Sequence, residues 1–85
     1  MLHNIFVYFD AAVGAFSTPI FMRSKGEALR WFEQMVNNPE TIFSKSPKDY
    51  TLLHLGEFDD VTCVFSLSPA PVALGVALEF VKSVD

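Results

Sequence analysis

The chain has 85 residues, 51% of them hydrophobic and 14% aromatic, with nine Phe and a net charge of −4. That length allows one small domain, residues 1–85, around a single core. The charge excludes a general field attracting nucleic acid or anionic lipid, and the apolar share exceeds what so short a chain hides easily, which points to an oligomer or a dedicated partner.

In chain order, "HNIFVYF" (3–9) is a β-branched and aromatic run, apolar on both faces, as a covered strand requires. "DAAVG" (10–14) turns, and "AFSTPIFM" (15–22) returns as a second strand, which Pro19 confines to an edge or a bulge. Ser24 opens a helix through the capping box "SKGE". Ala28, Leu29, Phe32, Met35 and Val36 form its apolar stripe, with Trp31 on the border, and "NNPE" ends it near Asn37. Pro39 suits the first position of a short second helix, 39–44.

"YTLLHLGEF" (50–58) and "VTCVFSL" (61–67) read as a third and a fourth strand joined through Asp59–Asp60, with Val61, Cys63, Phe65 and Leu67 on one face. "VALGVALEFVKSV" (72–84) is read as a C-terminal helix on its Ala and Leu content, against its four valines and Gly75. The expected fold is α+β: an antiparallel sheet of about four strands with helices on one face, in the order ββα(α)ββα.

The N-terminus has no basic region or small-residue cleavage site, so no signal peptide is expected. The longest weakly polar run, 69–81, is broken by two prolines, Gly75 and Glu79, and is too short to span a bilayer. Cys63 is the one cysteine, so an intrachain disulfide is excluded and a reducing cytoplasm is expected.

Three groups of residues bear on chemistry. Glu57, Asp59 and Asp60 suggest a metal site, a proton-transfer pair or a solvated hairpin tip. On a strand only two of them share a face and no metal-loop spacing accompanies them, so the tip is the preferred reading and no metal is expected. Cys63 with His3 or His54 suggests a nucleophile and base. Cys63, however, reads as a mid-strand core residue and His54 as a half-buried sheet residue, so no catalytic residue is assigned. The isolated glycines form no phosphate loop, and no cofactor is expected.

The third group is basic. Five of the six Lys and Arg, namely Arg23, Lys25, Arg30, Lys45 and Lys48, fall between residues 23 and 48, with Trp31, Tyr8 and Tyr50 as stacking surfaces for unpaired bases. On charge alone an ordinary amphipathic helix with Glu27–Arg30 and Arg30–Glu33 pairs is preferred.

Over residues 3–62 the chain resembles the small non-structural protein of gokushovirus-type microviruses, bacteriophages with circular single-stranded DNA genomes. The resemblance rests on Asp10, Pro19-Ile20-Phe21, "GEALRWF" (26–32), "VNNPETIF" (36–43), "PKDYTL" (47–52) and "GEFDD" (56–60). Cys63 stands where that family tends to have a turn glycine, and the tail is richer in Ala and Val. The resemblance implies a non-virion accessory protein of the host bacterial cytoplasm, linked to single-stranded DNA synthesis or packaging and carrying no catalytic residues. Its contacts with single-stranded DNA would come from Arg23, Lys25, Arg30, Trp31, Lys45 and Lys48. The rival expectation is a protein-interaction module that binds a host or phage replication protein. In either case a homodimer, built on a sheet face or an edge strand, is expected to bury the surplus apolar surface.

Overall fold

The computed structural model describes residues 1–82. Strand β1 (Leu2–Asp10) lies at the centre of one antiparallel sheet. It pairs on one side with β4 (Tyr50–Asp59) and on the other with two short strands, β2 (Ala15–Phe16) and β3 (Ile20–Met22). Strand β5 (Val64–Val76) pairs with β4 and ends the sheet. The expected second strand is thus broken at 17–19, where Pro19 offers no N–H, and it holds the predicted edge position.

Helix α1 (Lys25–Val36) begins as the capping signal requires, with Ser24 Oγ accepting from the Glu27 amide at 3.1 Å. Ala28, Phe32 and Val36 are buried, and Asn37 closes the helix. Helix α2 (Ile42–Lys45) starts later than Pro39. Residues 39–40 form a turn, because Asn38 Oδ1 accepts from the Glu40 amide at 3.0 Å, and Thr41 becomes the N-cap, accepting from the Ser44 amide at 3.3 Å. A 3₁₀ turn, Pro47–Asp49, leads into β4.

The core lies between one sheet face and these helices: Phe6, Tyr50 and Leu52 meet Ala28, Phe32, Val36, Phe43 and Ala77. The Phe43 ring stands edge-on to Tyr8 at 4.9 Å, Tyr50 at 5.0 Å and Phe32 at 5.5 Å between centroids.

Two expectations need correction. The C-terminal segment is not a helix: β5 continues to Val76 and a 3₁₀ turn follows at Ala77–Phe80. The valines and Gly75 suit the extended edge beside β4. Asn37 then fixes the chain against α1, Nδ2 donating to the Phe80 carbonyl and Oδ1 accepting from the Lys82 amide, both at 2.9 Å. Residues 83–84 of the expected helix lie outside the described residues. The fourth strand also starts at Val64 rather than Val61, because Asp60 to Cys63 form the turn. Cys63 has φ +61° and is exposed there; it is no core residue.

One irregularity decides which side chains share a face. Phe6 faces His54 in the β1–β4 pairing, but Ile5 faces Gly56, so Leu55 is the extra residue of a β-bulge. Core-facing positions in β4 are therefore Tyr50, Leu52 and His54, while Phe58, opposite His3, turns to the other face. Gly56 has φ +150°, and a Cβ there would lie 2.3 Å from the Ser66 carbonyl oxygen and 2.7 Å from Leu67 Cα. Glycine is required at that position on both counts.

Candidate functional site

Both helices and the Ala77–Phe80 turn pack on the core side of the sheet. The opposite face carries His3, Ile5, Val7 and Phe9 of β1, which alternate with the core-facing Phe6 and Tyr8. Ile5 and Val7 are buried at 3% and 5%, yet they stand apart from the helix-covered core. Around them lie rings that remain in water: Phe16 is 58% exposed, Phe21 49% and Phe65 56%.

These rings form two groups. Phe9 and Phe16, register partners, are 4.8 Å apart between centroids. At the other end of β1, Phe58 sits 4.7 Å from Phe65, 6.2 Å from Phe21 and 6.4 Å from His3. His3, Phe21, Phe58 and Phe65 line an open hollow of about 310 Å³. Its walls are almost wholly hydrocarbon, and its one polar tip is the His3 imidazole. The hollow exists because the bulge brings Phe58 onto this face and because Phe65 is its register partner across the hairpin.

Asp60 borders the hollow and is not merely solvated. Its Oδ1 accepts from the Met1 ammonium and its Oδ2 meets His3 Nε2, both at 2.7 Å. The hydrogen bond from the ammonium, more than the one from His3, holds the Asp60 carboxyl below the usual carboxylate range. Asp59 caps the turn instead, Oδ1 accepting from the Val61 amide at 2.9 Å. Asp59 and Asp60 thus mark a hairpin tip, as expected, and at the rim of the hollow Asp60 is held by the Met1 ammonium and the His3 ring.

On the core side, His54 is 7% exposed and its Nε2 donates to Asn4 Oδ1 at 2.9 Å, while Asn4 Nδ2 donates to the Arg23 carbonyl at 2.9 Å. Burial first, and then the charge of Lys25, hold the imidazole neutral by lowering its pKa below 6.5. The network ties β1, β4 and the start of α1 together.

The basic residues are not gathered into one patch. Arg23 and Lys25 follow β3 at the end of the sheet that holds the hollow, since Met22 is the register partner of Asn4 and Phe21 of Ile5. Lys45 and Lys48 lie around the turn into Tyr50, which is opposite Asp10 at the far end of β1, roughly 20 Å away by strand rise. All four, and Arg30 on α1, are exposed. Among the described residues none of these five cations has a salt-bridge partner; Glu33 pairs with Lys82 at 3.2 Å rather than with Arg30. Trp31 is half-buried against Phe32 and Phe43, so only part of its ring is open, and Tyr50 is buried in the core and offers no free ring face.

Sequence reasoning named Arg23, Lys25 and His3 separately and did not group His3 with Phe21, Phe58 and Phe65. The usable signal was Gly56: an isolated glycine inside a strand suggests a bulge, and a bulge reverses the alternation beyond it.

No helix among the described residues is long and apolar enough to cross a membrane, and those residues contain no cluster of His, Cys, Asp and Glu able to hold a metal ion. No curated protein and no solved structure matches the chain at a significant level. Residues 3–80 match the model of a family described as phage ORF5 protein, and the chain belongs to this family of bacteriophage proteins.

Proposed function

We propose that this phage protein is a non-enzymatic, non-virion accessory factor of a gokushovirus-type microvirus. In the host bacterial cytoplasm it binds unpaired DNA during synthesis or packaging of the single-stranded genome. The observation that carries the reading is the group of rings formed by the exposed Phe21 and Phe65 around the half-buried Phe58, on a sheet face that no helix covers. Bases of a single strand stack on such rings whatever their sequence, each contributing about 1–3 kcal/mol. Arg23 and Lys25, exposed at the same end of the sheet, take the adjoining phosphates.

The overall charge of −4 limits how much of the affinity is electrostatic. Two phosphate contacts on a single strand give a slope of about −1.4 in log K against log salt. Titration of the protein against a fluorescent unpaired oligonucleotide at several salt concentrations tests this. Binding at low salt with a shallow negative slope supports the reading, and no binding at low salt overturns it.

The rival, a module that recognises only proteins, is favoured by a different observation. Residues 64–76 carry no charge and lie at an open sheet edge.

A further inference from the structure

The two edges of the sheet are unlike each other. The β2–β3 edge is guarded in the ways that natural sheets guard edges: its strands have two and three residues, and Pro19 interrupts them. The β5 edge is thirteen residues long and without charge. It is irregular at 68–71, where four residues lie between the register partners Leu67–Gly56 and Val72–His54 and where Pro69 and Pro71 remove N–H donors, and again at Leu74, the extra residue between Ala73–Leu53 and Gly75–Leu52. That leaves Val64–Ser68 free of proline and charge, with only Ser68 reaching into the irregular stretch. Within it Val64 is 53%, Phe65 56% and Leu67 62% exposed.

We infer that Val64–Ser68 pairs antiparallel with the same segment of a second copy about a two-fold axis at Ser66, joining two sheets into one. An unpaired strand edge is completed by another strand, and under a two-fold axis an antiparallel edge is complementary to itself. The pairing sets Phe65 beside Leu67 of the second copy, and Val64 beside Ser68. Because the segment is uncharged, the two acidic chains meet where neither presents a charge.

The surface area agrees with this. The chain exposes 5502 Å², whereas a compact monomer of its mass exposes roughly 5,000 Å². The contact is small, below about 1,200 Å² in total, so a dimer of roughly micromolar or weaker affinity is expected. The Phe21–Phe58 end of the aromatic face stays open, and the inference does not depend on the binding of DNA.

The test is sedimentation equilibrium of the full chain without nucleic acid, from about 1 to 200 μM, the range that brackets such an affinity. Wild type should shift from 9.5 kDa towards twice that mass. Leu67→Lys should weaken association at least ten-fold, as a charge on a pairing edge does. Phe16→Lys, on the guarded edge, should leave it unchanged. If circular dichroism shows that Leu67→Lys is unfolded, Ser66→Lys, also at an exposed position, takes its place. A nitroxide on the sole cysteine, Cys63, should report a second label about 20 Å away plus its tether, because Cys63 lies three residues from the axis in each copy. A monomer at every concentration overturns the inference. So does a dimer that tolerates both lysine substitutions on β5, or one that Phe16→Lys abolishes, which would place the contact on the sheet face.

Discussion

On the covered face of the sheet, Phe6 and Leu52 are sealed beneath Phe32 and Val36, with exposures of 0 to 2%. On the other face Phe16, Phe21 and Phe65 keep about half their surface in water. The residue types are nearly the same on the two sides. The difference lies in what the chain supplies to cover them: α1, α2 and the Ala77–Phe80 turn all fall on one side. Burial on the first side holds the domain together, and exposure on the second leaves rings available to a ligand.

The sharpest way to break this comparison is to truncate one ring on each side. Phe32→Ala empties the centre of the covered face and should cost about 3–5 kcal/mol in chemical denaturation, enough to leave so small a domain partly unfolded. Phe21→Ala, at an exposed position, should cost less than about 1 kcal/mol in the same measurement. Equal losses would mean that the two faces are not distinct.

Next in size is Gly56→Ala. The added methyl meets the Ser66 carbonyl at 2.3 Å and forces a left-handed-side φ on alanine, so a loss of about 3 kcal/mol is expected. The hollow should loosen with it, because the same glycine lets Phe58 reach the open face. Near-wild-type stability would show that the β4–β5 pairing shifts at little cost.

Ser24→Ala should cost about 1 kcal/mol, through loss of the cap to the Glu27 amide. That effect belongs to the covered face alone, and thermal unfolding reads it directly.

The smallest effect is on pH dependence. His54 is held neutral in the fold, so the unfolded chain takes up a proton that the native chain refuses. Its contribution is complete above about pH 6.5 and is lost as the pH falls from there through the lowered native value. His54→Gln should flatten this slope in denaturation curves measured between pH 7.5 and 5. An unchanged slope would assign it to another group.

Much of the covered face could be read in the residues. The periodicity of Ala28, Phe32 and Val36 and the cap at Ser24 specify a helix by local chemistry that the tertiary structure does not override. Pro19 likewise declares an edge strand wherever it sits. The open face was harder to read. Strict alternation groups Phe58 with Tyr50, Leu52 and His54, and only the bulge at Leu55–Gly56 separates them. The fate of 72–82 depended on a pairing with β4 and a clamp from Asn37, both distant in sequence, while its local propensities were divided. Asp60 was read correctly as part of a turn, but its bonds to Met1 and His3 arise from the register of β1 against β4, which composition does not disclose.

The most direct test of the account is the affinity of an unpaired oligonucleotide for wild type and for Phe21→Ala, both shown to be folded, in the same low-salt buffer. The account predicts that wild type binds and that removal of this one exposed ring weakens binding roughly ten-fold, as the loss of a stacked base does. Equal affinities for the two proteins, or no binding by wild type, would contradict it.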